Sequence, residues 1–201
     1  MQSRSIFIVN QSNQPPLEPL SRQQVLLLMG ITALLLFIVG NLWRLIGNVE
    51  LLAWEFSGLA LIQGVAIALG IIVASSLLYA VWAEYRRSVD TYLEFVLKPL
   101  AVPDAIWLGL LPGLSEEFLF RGIMLPGLGL GWGALCLSSL IFGVLHISGA
   151  QQWSYAVWAT VIGFILGYSA IATGNLLVPV VAHIVTNFTS SLIWKLRHES
   201  P

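Results

Sequence analysis

The chain has 201 residues, 57% hydrophobic and 9% charged, with mean hydropathy +0.85. That excludes a soluble domain of this size, which needs far more charge to cover its surface, and makes the lipid bilayer the surrounding medium. Net charge is −1 and no basic run tracks a phosphate backbone, so nucleic acid is excluded as a partner.

Residues 1–22, with Pro15, Pro16 and Pro19, read as a flexible polar tail without the basic start and early apolar stretch of a secretory signal. Val25–Leu45 and Leu59–Trp82 each approach the roughly 20 residues that cross a bilayer and form a two-helix extension over 23–85. Trp43, Trp54 and Phe56, mixed with Arg44, Glu50 and Glu55, suit the interfacial belt between them. Over 86–102 the period changes: Val89, Tyr92, Leu93, Val96, Leu97 and Leu100 fall opposite Arg86, Arg87, Asp90, Glu94 and Lys98, which predicts an amphipathic helix in the membrane surface. Pro103 ends it and Asp104 is placed to N-cap the next span.

A four-helix core over 103–197 follows, with spans at Asp104–Leu125, Trp132–Ile147, Tyr155–Ala172 and Leu176–Leu196. The expected fold is all-α, a polytopic membrane helical bundle of about six transmembrane helices plus the interfacial one. Cys136 lies in an apolar run and reads as a small packing residue. Gly109/Gly113 and Gly163/Gly167 have the GxxxG spacing of close helix contacts, and Pro112 and Pro179, each four residues before a polar site residue, are expected to loosen their helices. The NFT at Asn187 matches a glycosylation sequon but falls within a span. Seven of the nine Lys and Arg (Arg4, Arg22, Arg86, Arg87, Lys98, Lys195, Arg197) fall on the side shared by both termini, which places the termini in the cytoplasm of a bacterial plasma membrane or its equivalent.

Ionisable groups are costly at membrane depth, so their presence points to a built site. In SEEFLFRG, Glu117 and Arg121 are four apart on one face, the spacing of an ion pair, while Glu116 points about 100° away without that partner. FGVLH puts Phe142 and His146 on one face, and HIVTN does the same for His183 and Asn187. Glu116, His146 and His183 can position a water by general-base action or around a metal, since two His and one Glu also form a catalytic zinc set. No HExxH is present and each candidate comes from a different helix, so spacing decides for neither chemistry.

EExxxR (Glu116, Glu117, Arg121), FxxxH (Phe142, His146) and HxxxN (His183, Asn187), in that order on separate spans, resemble the CPBP family of intramembrane proteases. That family comprises type II CAAX-processing endopeptidases and bacterial relatives linked to bacteriocin processing and immunity, formerly called abortive-infection (Abi) proteins. The resemblance covers about Ala105–Leu196 and implies an endopeptidase that hydrolyses a membrane-associated peptide or protein. Glu116 and His146 would activate the water, His183 and Asn187 would stabilise the oxyanion, and Glu117, Arg121 and Phe142 would support the site. The family has been described both as metalloproteases and as glutamate-type proteases. A metal-free site without cofactor is the favoured expectation, with Zn2+ on Glu116, His146 and His183 as the other. The competing functional class is a catalytically silent peptide-binding, immunity or scaffold protein of the same fold.

Overall fold

The computed structural model describes residues 20–147 and 149–198, all of whose regular elements are helical. The expected N-terminal tail lies outside the described residues up to 19, and its last residues already build a helix start. Ser21 caps α1 (Arg22–Ile46): its Oγ accepts from the Gln24 amide while Gln24 Oε1 accepts from the Ser21 amide. Ser57 caps α2 (Gly58–Val81) in the simpler way, accepting from Ala60 N–H. Both helices present Leu, Ile and Val outward, Leu34 and Ile62 being 60% and 68% exposed, whereas Glu117 and Arg121 are 0% and 1% exposed. An apolar exterior around a charged interior is the arrangement a lipid solvent selects, because hydrocarbon offers no gain for hiding leucine and a large cost for exposing charge.

The loop between α1 and α2 is tied down by backbone polarity. Leu52 N–H donates to the Gly122 carbonyl, Leu176 N–H to the Ala53 carbonyl, and the Asn175 side chain bonds both the amide and the carbonyl of Glu55. Asn175 Oδ1 also accepts from Leu177 N–H and so starts the last helix.

The amphipathic helix forms as α3 (Ala83–Leu97), bent by 108° from the helical segment after it. Its apolar edge packs inward, with Leu97 and Leu100 buried beside Val25 and Trp194. Ser88 Oγ donates to the Gln151 carbonyl at 2.9 Å and shares a hydrogen bond with Ser154, fixing α3 to the start of the helix Trp153–Thr173. Asp104 is not the side-chain cap expected of it. It lies in a 3-10 turn (Val102–Asp104), where it accepts from Ala101 N–H and from Arg22 through Nε at 2.6 Å and Nη2 at 2.8 Å. The carboxylate therefore fastens the beginning of α1 to the corner that follows α3, a tertiary role that outcompetes local capping.

The next crossing is composite: α4 (Ala105–Glu117), a π-helical stretch (Phe118–Met124) and a last turn, α5 (Leu125–Gly127). Then come α6 (Trp132–Val144), a 3-10 turn (Ala150–Gln152), α7 (Trp153–Thr173) and α8 (Leu177–His198). Among the described residues four helices, α1, α2, α7 and α8, are long and apolar enough to cross a membrane, or five if the bent pair Ala83–Leu97 and Val102–Gly127 counts as one span. The apolar α6 has only 13 residues, about 20 Å at 1.5 Å per residue, against a hydrocarbon core of about 30 Å. The expected span to Ile147 is therefore cut short at Val144.

Both glycine pairs make the expected close contacts. A Cβ on Gly109 would lie 2.9 Å from the Ile184 carbonyl oxygen, and one on Gly163 would lie 3.2 Å from Ser139 Cα, so α4 meets α8 and α7 meets α6 with little between the backbones. Two expectations are corrected. Pro179 is the third residue of α8, where an amide has no intrahelical partner, so it starts the helix without loosening it. Cys136 is exposed on the outer face of α6, because the 3.6-residue period turns it away while Leu135 and Ser139 face α7.

Candidate active site

Glu116 and Glu117 are the last two residues of α4, and the backbone widens into the π turn immediately after them. Widened turns of this kind often accompany functional sites because they re-aim side chains. Arg121 lies inside the turn and donates through Nη1 to Glu117 Oε1 at 2.7 Å, the ion pair expected from the four-residue spacing. Its Nη2 donates to the Gly163 carbonyl at 2.9 Å, and its guanidinium stands 4.5 Å from the Phe142 ring centroid. A carboxylate, a carbonyl and an aromatic face thus surround a buried cation, which would otherwise cost several kcal/mol (about 3–5 on loss of one partner).

Phe142 is in the last turn of α6, and His146 follows the helix in a turn of its own. The two rings still meet at 4.5 Å between centroids. His146 Nδ1 is 2.7 Å from the Phe142 carbonyl, which can only accept; Nδ1 therefore carries a proton and the lone pair of the neutral ring is on Nε2. His183, on α8, places Nδ1 2.6 Å from Glu117 Oε1, the same oxygen that Arg121 holds. With that carboxylate ionised, Nδ1 donates and the reactive nitrogen is again Nε2. Glu117 is therefore a shared anchor for Arg121 and His183, a second bond that the sequence spacing does not reveal.

Both Nε2 atoms face Glu116. Its Oε2 lies 3.9 Å from His146 Nε2 and 4.0 Å from His183 Nε2, is buried, and has no hydrogen-bond partner among the described residues. These separations are too long for direct hydrogen bonds and suit a single small bridging species. The three atoms border a cavity of about 80 Å3, which Pro112, Phe142 and Asn187 also line. All four residues expected to act in catalysis thus converge on one space, which Phe142 also lines, and Glu117 and Arg121 stand behind His183.

Sequence reasoning missed three polar residues that line the same cavity: Thr186, Tyr92 and Tyr155. Tyr92 comes from α3, outside the spanning helices, and stacks on Tyr155 at 4.9 Å between centroids. Burial, with the Glu116 carboxylate as the smaller cause, pushes the Tyr92 phenol up to about 12, so it keeps its proton at neutral pH. Tyr92 was visible in the sequence only as part of an apolar face. Thr186 was hidden inside the HxxxN spacing.

Apolar helices around an internal Glu–His–Arg network define an integral membrane protein with its polar chemistry held inside the bundle. Residues 98–189, which contain all three motifs, match the type II CAAX prenyl endopeptidase Rce1-like family. The uncharacterized protein YpbD of Bacillus subtilis (strain 168) is 30% identical over 146 residues, covering 72% of this chain and 75% of YpbD. The chain belongs to the Rce1-like family. No solved structure matches it.

Proposed function

We propose that the protein is an intramembrane endopeptidase that hydrolyses a peptide bond in a membrane-associated peptide or protein with a Glu/His-activated water. The observation that carries this reading is the orphaned, buried Glu116 Oε2 facing two imidazole Nε2 atoms whose other nitrogens are each held. A water there gives a proton to Glu116, with His146 Nε2 as its second acceptor, and its oxygen bonds to the substrate carbonyl carbon. The resulting oxyanion receives hydrogen bonds from the Asn187 amide and from His183 Nε2, whose second proton is taken from solvent before the attack and stays on the ring throughout; Glu117 stabilises that imidazolium. Glu116 then passes its proton to the departing amine as the C–N bond breaks.

The reading is metal-free. Zinc held at about 2.0–2.1 Å in a tetrahedral set puts neighbouring donor atoms about 3.3 Å apart. The Glu116 to histidine separations of 3.9 and 4.0 Å are wider, and among the described residues no group of three His, Cys, Asp or Glu is spaced for a metal. Purified protein stripped of metal by a strong chelator is expected to retain its rate of peptide cleavage in liposomes. Stoichiometric zinc whose removal and restoration switched turnover off and on would overturn the metal-free mechanism.

The orientation proposed has both termini, α3 and the mouth of the site on the cytoplasmic side. Six of the eight Lys and Arg among the described residues (Arg22, Arg86, Arg87, Lys98, Lys195 and Arg197) support it under the positive-inside bias. On a Cys136→Ala background, a cysteine replacing Arg87 should resist an impermeant thiol reagent outside intact cells, whereas one replacing Glu50 should react. The reverse pattern would invert the topology.

A further inference from the structure

Hydroxyls inside membrane helices ordinarily return to the chain, donating to the carbonyl one turn earlier. Several here do so: Ser115 donates to the Leu111 carbonyl at 2.7 Å, Ser139 to Leu135 at 2.7 Å, Thr160 to Ala156 at 3.0 Å and Thr173 to Ser169 at 2.7 Å. Thr186 does not. Its Oγ1 is buried and finds no hydrogen-bond partner among the described residues, although the residue is only 8% exposed and sits within α8. It lies one turn beyond His183 and one residue before Asn187, and all three line the same cavity. A buried hydroxyl without a bond is destabilising, so a packing role leaves it unexplained.

The chemistry of that cavity supplies a use. Glu116 Oε2 can only accept when ionised and His146 Nε2 accepts when its ring is neutral, which leaves the His183 imidazolium and the Asn187 amide to donate. Negative charge developing on a carbonyl oxygen there needs donors, and a hydroxyl that has not been committed to its own backbone is already free to rotate toward it. We infer that Thr186 is a further catalytic residue, donating its hydroxyl hydrogen bond to the carbonyl oxygen that becomes the oxyanion, beside the Asn187 amide. The O–H bond stays intact and no proton is transferred: the hydroxyl stabilises charge that the attacking water creates. The inference rests on the peptidase reading of the site.

The test compares Thr186→Val, which keeps the branched shape and loses the hydroxyl, with Thr186→Ser, which keeps the hydroxyl, on a membrane peptide cleaved by wild type in liposomes. Glu116→Gln is the inactive reference. Loss of one oxyanion donor should lower kcat by about 10²-fold in the valine variant while KM changes by less than about twofold. Its unfolding temperature in detergent should equal or exceed that of wild type, because an unsatisfied buried group has been removed. The serine variant should recover most of kcat. If the valine variant does not fold, Thr186→Ala against Thr186→Ser at matched unfolding temperature makes the same comparison. A valine variant with wild-type kcat beside a dead Glu116→Gln would overturn the role of Thr186 and leave the peptidase reading standing. Activity and unfolding temperature lost together, with no recovery in the serine variant, would assign Thr186 to structure and overturn the inference. Wild type without hydrolysis of any membrane peptide offered would overturn both.

Discussion

Glu116→Gln is expected to lower peptide hydrolysis by about 10²–10⁴-fold, the range carried by a positioned general base, with no loss of unfolding temperature in detergent. The two parts of this expectation have one origin. Glu116 makes no bond that holds the bundle together: its Oε2 has no partner among the described residues, and both imidazoles stand about 4 Å away. A buried carboxylate oxygen without a direct partner contributes nothing to the fold, so replacing the group with an amide of the same shape should leave stability unchanged or slightly raised. The same replacement removes the carboxylate that faces both Nε2 atoms, and an amide cannot take a proton from water. Hydrolysis by Glu116→Gln at near the wild-type rate, measured on one peptide in liposomes, would remove Glu116 from the role of base.

Glu117 should behave in the opposite way. Arg121 and His183 both bond its Oε1, and Arg121 is 1% exposed. Glu117→Gln or Arg121→Met alone leaves one buried charge uncompensated, which is expected to cost about 3–5 kcal/mol and to appear as a large drop in unfolding temperature. The double variant removes both charges and should regain much of that stability. It should not regain activity, because His183 has then lost the carboxylate that orients it and stabilises its imidazolium. Singles and double equally destabilised would show that the pair contributes through packing. A double variant with full turnover would show that His183 needs no carboxylate.

Much of this site could be read from residue type and helical period. Glu117 and Arg121 pair because four residues return to the same face of a helix, and the HxxxN and FxxxH spacings work by the same geometry. What stayed hidden depends on partners distant in the chain. Nothing local distinguishes the Oε1 of Glu117 that binds Arg121 from one that also binds His183, 66 residues later. Asp104 looked like a cap because the turn after Pro103 permits one, but Arg22, 82 residues earlier, claims it. The early end of α6, which leaves His146 in a turn, comes just after Gly143, a glycine that the apolar run around it conceals, and apart from Arg121 and Gly122 the π turn carries apolar residues that do not mark it. Cys136 and Pro179 were misjudged for a smaller reason: an apolar run conceals which face is inside, and position along a helix decides what a proline costs.

The cavity that joins these groups measures about 80 Å3, well below the roughly 300–1,000 Å3 of clefts that hold even drug-sized ligands. A polypeptide strand cannot be laid across Glu116 in that volume while the walls keep their positions. On the peptidase reading, a substrate would gain room by parting helices that glycines hold nearly backbone to backbone, or by swinging away the Tyr92–Tyr155 stack contributed by α3 and α7. The proposed chemical step would then stand behind a mechanical one. Turnover would then follow the frequency of opening, and so the thickness and fluidity of the surrounding lipid, as much as the reactivity of the peptide bond.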